Sequence, residues 1–286
     1  MYKVFLLIFL FISSDLFAKS VGIVLDKKEI KDGDGSKFIF DIDEKYLNAV
    51  RGSCKKYDIS VVFLPYAQDY IDNYVKDIDG LLISDSIYDI DPSLYGQHLN
   101  KDTKFILNDA RSNFEIGLLQ AFLKLGRPVL GIGHGMHVLN VARGGSLIQD
   151  LSTSVKTEIN HNSSYTKHEV VIEKNNKLSK IIFKEDEKDT NIITNSLHKQ
   201  SIAAINESFL KISGRAKDGV IEAIEGVDSS FVFGIQWHPE LLENEHDIKL
   251  FDAFCSAVNG LKRSDEKIED LEKMNISNEL KNVNIS

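Results

Sequence analysis

The stretch that most constrains this 286-residue chain is a short apolar run that ends in a tight glycine turn. The run is Val129–Ile132, the turn contains Gly133 and Gly135, and helical apolar spacing begins at Met136. This pattern predicts a strand, a sharp turn and a helix. In an α/β sheet such a turn raises one residue above the carboxyl end of a strand, beside a helix N-terminus. That is the geometry of a nucleophile elbow, G-x-Nuc-x-G, but the middle residue is Gly133, which carries no reactive atom.

Composition predicts a globular, acidic chain of one large domain or two small ones. Hydrophobic residues make up 43% of the sequence, which is enough for a sizeable core, and the formal net charge is −9. Neutralising nucleic-acid phosphates requires clustered lysine and arginine. The sequence has no basic patch with interleaved aromatic residues, so we expect no nucleic-acid partner.

The two cysteines, Cys54 and Cys255, are too few for a scaffold built on disulfides. Neither has a C-x-x-C partner, which argues against a metal-ligand pair. Cys255 lies in an apolar helical pattern over residues 250–258, so we expect it to be a buried packing thiol.

The first 18 residues have the pattern of an export signal. Lys3 supplies a positive charge, an apolar run covers residues 4–12, and Ala18 offers a small residue at the cleavage point. The run is shorter than the ~20 residues that a membrane span needs, so we expect no stable span once the signal is removed. We expect a periplasmic or otherwise exported protein. The alternatives are an uncleaved anchor or a first strand, with a cytoplasmic location.

Strand and helix patterns then alternate, which predicts a mainly parallel sheet with helices on both faces. The predicted strands of this first half are 20–25, 59–65, 79–85 and 129–132, with helices at 43–56, 70–77 and 114–125 and a polar loop at 27–36. Beyond residue 150 we predict strands at 168–172, 180–183 and 191–195, a hairpin over 210–224, a strand at 231–237 and a helix at 247–258. Residues 263–286 are charged and lack a sustained apolar face, so we interpret them as a mobile polar tail.

Several separated motifs resemble the class I glutamine amidotransferase superfamily, and its γ-glutamyl-γ-aminobutyrate hydrolase type (peptidase family C26) in particular. Besides the elbow, they are Gly144–Leu147, the Asn195-Ser-x-His-x-Gln200 segment, Ala216–Ala223 and the Gly234–Glu240 segment with its Gln-Trp-His-Pro-Glu sequence. The resemblance covers about residues 21–260. It implies a flavodoxin-like class I glutamine amidotransferase fold, with one domain over residues 20–262.

The resemblance implies acyl transfer from a γ-glutamyl amide to water, without a cofactor. A cysteine thiolate at the elbow attacks the carbonyl, a histidine moves the proton, and a glutamate orients the histidine. The matching histidine and glutamate are His238 and Glu240. The partner it implies is a small γ-glutamyl-like molecule, and the candidate binding residues are Ser84, Asp85, His134, His137, His198 and Gln200.

The departures from the family pattern concern the two features that the chemistry needs most. Gly133 stands where the cysteine belongs. The Pro-Gly-Gly loop that supplies an oxyanion N–H is matched by Ile83-Ser84-Asp85, which puts a negative charge where negative charge must grow. His134 replaces a usual arginine and His137 a usual glutamine. The family's Arg-Asp-x-x-Glu helix start is only partly kept, in Arg111–Glu115.

These departures favour a catalytically degenerate protein that keeps the cleft, because loss of the attacking atom removes most of a triad's rate. A second interpretation is an active hydrolase of a γ-glutamyl or other small amide with new chemistry, in which His134, His137, His198 and His238, with Glu240, hold a zinc ion. A third is a relic without a role. We favour the first, and we predict no metal at this set of histidines.

Overall fold

The computed structural model describes residues 18–33, 35–184, 190–228, 231–242 and 244–262. Within them the strands are β1 (Ser20–Val24), β2 (Asp26–Asp32), β3 (Gly35–Asp41), β4 (Ser60–Leu64), β5 (Gly80–Ile83), β6 (Val129–Ile132), β7 (Ser146–Ile148), β8 (Asn162–Ile172), β9 (Asn191–Leu197), β10 (Ser201–Ala204), β11 (Leu210–Ala216), β12 (Ile221–Gly226) and β13 (Val232–Ile235). The α-helices are α1 (Glu44–Cys54), α2 (Ile71–Asp77), α3 (Asp109–Lys124), α4 (His134–Ala142), α5 (Leu151–Ser154), α6 (Lys177–Ile182) and α7 (Glu245–Gly260). The predicted signal segment, apart from Ala18, and the predicted tail lie outside the described residues. No described helix has the length and apolar character needed to cross a membrane.

A nine-stranded sheet in the order β4-β1-β5-β6-β13-β12-β11-β8-β9 forms the centre of the fold. The pairs from β4 to β13 are parallel, and those from β13 to β9 are antiparallel. We call these the parallel half and the antiparallel half. Because the strands of the parallel half run the same way, their carboxyl ends meet at one edge, where ligands bind in open α/β sheets.

Buried apolar side chains form a core on each face of the sheet, because successive residues of a strand point to opposite faces. On one face, Leu81 and Ile83 of β5 pack with apolar residues of α2, α3 and α4. On the other face, Leu82 packs with residues of α1, α6 and α7. The predicted α/β architecture with helices on both faces is confirmed.

The predicted polar loop at 27–36 is wrong, because β2 and β3 form an antiparallel hairpin that pairs Asp26 with Asp41 and Asp32 with Gly35. The strand β2 reads Asp-Lys-Lys-Glu-Ile-Lys-Asp and is largely exposed. It therefore lacks the apolar alternation by which a half-buried strand is recognised. The base of this hairpin borders the site described below.

The predicted strand at 180–183 is also wrong, since these residues belong to the end of α6 and the residue after it. Asn176 caps the helix by accepting a hydrogen bond from the Ser179 N–H at 2.6 Å. The N–H groups of Lys177 and Leu178 donate to the Glu225 carboxylate at 2.9 Å. A short apolar run is ambiguous between helix and strand, and here these caps satisfy the N–H groups at the start of a helix.

Cys54 and Cys255 form a disulfide that joins the end of α1 to α7. The expectation that Cys255 is a buried packing thiol is therefore wrong. Both residues are fully buried, as expected, but the packing of α1 against α7 brings together two cysteines that lie 201 residues apart. Sequence spacing contains no signal of this approach.

Candidate active site

The predicted elbow is present at the carboxyl end of β6, in the middle of the parallel half. Gly133 has φ 56° and ψ −113°, a backbone conformation that is strained for residues with a side chain. The turn is also very close to its neighbours, because a Cβ added to Gly135 would lie 2.2 Å from the Ile83 carbonyl oxygen. Glycine at these positions lets α4 begin immediately after the strand.

The carboxylate of Asp85 occupies the space above the elbow where a nucleophile's side chain would begin. A Cβ on Gly133 would lie 2.2 Å from Asp85 Oδ1. The same oxygen accepts a hydrogen bond of 2.7 Å from the backbone N–H of His134, the residue after the nucleophile position, whose N–H is an oxyanion donor in a working elbow. Asp85 therefore fills both the nucleophile's place and one oxyanion position.

His238 and Glu240 lie just beyond the end of β13 and form the pair that the sequence predicts. His238 Nδ1 is 2.9 Å from Glu240 Oε1, and Nε2 is 3.9 Å from Asp85 Oδ2. Asn195 of β9 holds the backbone of His238, accepting from its N–H at 2.8 Å and donating to its carbonyl at 3.0 Å. Burial opposes protonation of His238, but the hydrogen bond to Glu240 and the charge of Asp85 outweigh it and raise the His238 pKa to about 9. His238 is therefore mostly an imidazolium at neutral pH.

Tyr46 of α1 completes the surroundings of Asp85 and is not apparent in the sequence. Its hydroxyl oxygen accepts a hydrogen bond from the Asp85 backbone N–H at 3.1 Å. Burial, followed by the charges of Glu240 and Asp85, raises the Tyr46 pKa well above its ordinary value, so the phenol keeps its proton. The helical spacing of α1 marks Tyr46 only as a core residue.

A buried ionic chain lies beneath the elbow and supports its first helical residue. Arg111, which is fully buried, pairs with Asp26 and with Glu115, whose Oε1 is 2.8 Å from Arg111 Nε. Glu115 Oε2 is 2.7 Å from His134 Nε2. Burial opposes ionisation of Glu115, but the charges of Arg111 and His134 outweigh it and lower the Glu115 pKa. The partial Arg-x-x-x-Glu motif is therefore structural here, and His134 Nε2 is committed to Glu115 rather than to the cleft.

A cleft of about 240 Å³ opens above Asp85 and His238. Ser84 lines it, although the Ser84 hydroxyl donates to the Val24 carbonyl at 3.2 Å. Five carboxylates, those of Asp26, Asp41, Asp43, Asp85 and Glu240, line the cleft with Lys28, Tyr46 and His238. Lys28 pairs with Asp41 at 2.6 Å, and the carboxylates outnumber the basic groups, so the net charge of the lining is negative.

The other predicted site residues, His134, His137, His198 and Gln200, do not line this cleft. His137 Nε2 is 2.7 Å from Gln236 Oε1, and burial lowers the His137 pKa to about 4. Gln200 accepts from the Ile90 N–H at 3.3 Å, and His198 points toward Glu222. The histidines of the zinc hypothesis therefore face different partners, and among the described residues the cluster with metal-ligand spacing is a different one, described below. A role for these four residues in ligand binding stays a prediction.

Comparison with known proteins shows the family to which the chain belongs. The sequence profile of the peptidase C26 family matches residues 21–240, and the chain belongs to this family. It is 32% identical to a glutamine amidotransferase-like protein of Rickettsia prowazekii over 68% of this chain and 83% of that one. It is 27% identical to the γ-glutamyl-γ-aminobutyrate hydrolase of Escherichia coli over 83% and 92% of the two chains.

Solved structures agree on the fold alone. The glutaminase domain of Trypanosoma brucei CTPS, solved with bound acivicin, superposes with a TM-score of 0.56 at 13% identity, covering 86% of this chain and 96% of that one. A GMP synthase protein of Thermoplasma acidophilum gives 0.52 at 15% identity, covering 84% and 95%. The predicted class I glutamine amidotransferase-like fold is confirmed.

Proposed function

We propose that this chain is a glutamine amidotransferase-like protein that binds a small γ-glutamyl-like or related amine-bearing ligand without hydrolysing it. One observation carries the proposal: the Asp85 carboxylate lies where the nucleophile's side chain would begin and accepts the His134 N–H. Hydrolysis by the family's chemistry requires a thiolate at the first place and a developing oxyanion at the second.

Three physical effects combine against turnover. No sulfur or oxygen nucleophile projects from Gly133. A donor to the oxyanion is already occupied, and loss of one such donor typically costs about 10²–10³ in rate. The negative charge of Asp85 also repels the negative charge that develops on the substrate's oxygen.

Asp85 also explains how His238 and Glu240 persist without a cysteine. In a Cys-His site the imidazolium faces a thiolate, and here it faces the Asp85 carboxylate, with His238 Nε2 3.9 Å from Asp85 Oδ2. One anion has replaced another, so the buried imidazolium keeps a counter-ion. The remaining acidic lining favours a ligand that brings an amino group, as the α-amino group of a γ-glutamyl compound does.

The proposal is tested by rebuilding the site and measuring hydrolysis of a γ-glutamyl amide. We expect wild type and Gly133→Cys to hydrolyse at background rate, because the new Cβ meets Asp85. We expect the triple variant Gly133→Cys, Ser84→Gly, Asp85→Gly to exceed Gly133→Cys by about two powers of ten or more, because it regains both the nucleophile and the oxyanion donor.

Adding His238→Ala to the triple variant is the matched control, and it should return the rate to background. Wild-type turnover at the level of an active homologue would contradict the proposal. So would an acyl adduct on Asp85, detected by mass spectrometry after incubation with a reactive glutamine analogue, because it would make Asp85 a nucleophile.

We also propose that the protein is exported and that its signal segment is cleaved between Ala18 and Lys19. Two observations support this. Strand β1 of the nine-stranded sheet begins at Ser20, two residues after Ala18, and a buried disulfide joins Cys54 to Cys255. Disulfides form and persist in oxidising compartments such as the periplasm. N-terminal sequencing of the protein purified from its source should give Lys19 as the first residue, and a start at Met1 would overturn the proposal.

A further inference from the structure

The antiparallel half contains a second group of histidines, away from the elbow, around the fully buried carboxylate of Glu222 in β12. Glu222 Oε1 lies 3.5 Å from His161 Nδ1, 3.5 Å from His168 Nε2 and 3.5 Å from His198 Nε2. All four side chains are buried. They come from β12, from β8 and the residue before it, and from the residue after β9.

Four polar atoms of this group have no hydrogen-bond partner within the described part of the chain. They are both oxygens of Glu222, Nε2 of His168 and Nε2 of His198. A buried polar atom without a partner is costly, and four at one place indicate that the site is built for something further. Ligand atoms of His161, His168 and Glu222 lie within 4.8 Å of one another.

The partner of one nitrogen on each histidine ring shows which nitrogen is left to face Glu222. His168 Nδ1 is 3.3 Å from the Glu169 carbonyl oxygen, and His198 Nδ1 is 3.0 Å from the Gln200 carbonyl oxygen. Because a carbonyl only accepts, both Nδ1 atoms carry a proton, and Nε2 is the atom that each ring turns toward Glu222. His161 Nε2 is held at 2.9 Å by Asp218 Oδ2. His161 Nδ1 faces Glu222 at 3.5 Å and is also 3.1 Å from Ser196 Oγ, so a bound ion would replace the contact with Ser196.

This is the outer-shell arrangement that orients metal-binding histidines, in which the second nitrogen of each ring donates to a carbonyl or a carboxylate. Burial lowers the His198 pKa to about 4, so that this imidazole is neutral at physiological pH. Burial also raises the Glu222 pKa to about 7, and a neighbouring cation would oppose that rise.

The distances from Glu222 to the three imidazoles match the size of a coordination sphere. Around a tetrahedral ion with bonds of about 2.0–2.1 Å, two ligands lie about 3.3–3.5 Å apart. The separations between Glu222 Oε1 and the three imidazole nitrogens are of this length. A cavity of about 150 Å³ is bordered by His161 and His198, and we expect an ion to enter from that side.

We propose that His161 Nδ1, His168 Nε2 and the Glu222 carboxylate bind a divalent transition-metal ion of the Zn²⁺ type, with His198 closing its fourth side. Two imidazole nitrogens and one carboxylate suit such an ion. The ion ties β8, β12 and the end of β9 together. The inference is independent of the function proposed for the elbow, since none of these four residues lines the cleft above Asp85.

The test uses the mature protein, stripped with a chelator and titrated with Zn²⁺ in a calorimeter. We expect one ion per chain in wild type, and a rise in Tm of about 5–10 °C at a hundredfold excess over Kd. Co²⁺ in the same site should show the visible absorption of a four-coordinate ion. X-ray absorption on the zinc form should show nitrogen and oxygen neighbours at about 2.0–2.1 Å and no sulfur.

The variants His168→Gln and Glu222→Gln should each weaken Zn²⁺ binding at least a hundredfold and abolish the Tm rise. Two controls separate this effect from general damage. His137→Gln removes another buried histidine, and His98→Gln removes an exposed one; both should keep wild-type Zn²⁺ affinity. Should a variant fail to fold, the Co²⁺ spectrum and the X-ray absorption of wild type still decide the coordination. Absence of stoichiometric binding by wild type, or equal binding by wild type and Glu222→Gln, would overturn the proposal.

Discussion

Each half of the central sheet places a carboxylate next to histidine side chains. The two carboxylates differ in whether the described residues supply them with hydrogen bonds. In the parallel half, Asp85 accepts the His134 N–H and faces the His238 imidazolium. In the antiparallel half, Glu222 faces three imidazoles, and its oxygens make no hydrogen bond to the described residues. The first site is closed by its own side chain, whereas the second is open to a cation.

The comparison teaches that burial and charge alone do not identify a working site. Asp85 is an acid in the cleft beside the elbow, and in the function that we propose its contacts prevent the hydrolysis typical of the family. Glu222 lies among residues that the family resemblance left without a role, but its unsatisfied oxygens require an explanation. The predictions below test this contrast, beginning with the largest expected effect.

The two halves should differ in how they are held together. The parallel half carries the Cys54–Cys255 disulfide between α1 and α7. Replacing both cysteines by alanine should lower the free energy of unfolding by about 2–5 kcal/mol, as measured by urea denaturation. A reducing agent should destabilise wild type and leave the double variant unchanged. Equal stability of the two proteins under oxidising conditions would show that the bridge contributes nothing.

Glu222 should make the metal-free protein less stable as the pH rises. Its folded pKa is raised to about 7 by burial, so its contribution is fully present below its unfolded pKa of about 4.5 and is lost as pH rises through about 7. Between pH 4.5 and 8, metal-free wild type should therefore lose about 1–3 kcal/mol relative to Glu222→Gln. Urea denaturation with a chelator present measures both proteins. The pKa of Asp247 is also raised to about 7 by burial. Because Asp247 is present in both wild type and Glu222→Gln, its contribution drops out of the difference between the two proteins. Parallel pH profiles would contradict the expectation.

The pKa of His238 should depend on its partner Asp85. Its pKa of about 9 depends in part on Asp85, so Asp85→Asn should lower the pKa toward the ordinary value of about 6.5. Because the folded pKa is raised, the stability from His238 is present below about pH 6.5 and is lost as pH rises through about 9. NMR titration of the imidazole measures the shift. Asp43→Asn, at the rim of the same cleft, is the control and should change the pKa less.

Tyr46 should have the smallest effect, because its contact with the Asp85 N–H, at 3.1 Å, is a neutral hydrogen bond. Tyr46→Phe should destabilise the protein by about 0.5–1.5 kcal/mol. Tyr70→Phe, at a tyrosine that is half exposed, should change stability much less. If the two substitutions have the same effect, the Tyr46 hydroxyl does not hold the loop that carries Asp85.

The candidate site could be predicted only in part. The His238–Glu240 pair follows from a contiguous segment, and the two side chains are hydrogen-bonded in the structure. The side chains of His134, His137 and Gln200 contact Glu115, Gln236 and the Ile90 N–H, and His198 faces Glu222, so their role in ligand binding stays a prediction. A motif indicates that a residue is close to a site, whereas the direction of its side chain depends on partners from other elements.

The sequence by itself determined the alternation of strands and helices, the elbow and the missing sulfur at Gly133. Those features depend on local periodicity and on the backbone freedom of glycine, which neighbouring residues reveal. Only the tertiary structure decided that Asp85 enters the space above Gly133, that Cys54 meets Cys255, and that Glu222 gathers three histidines. Each of these depends on the approach of residues far apart in the chain, which is set by how helices and strands pack.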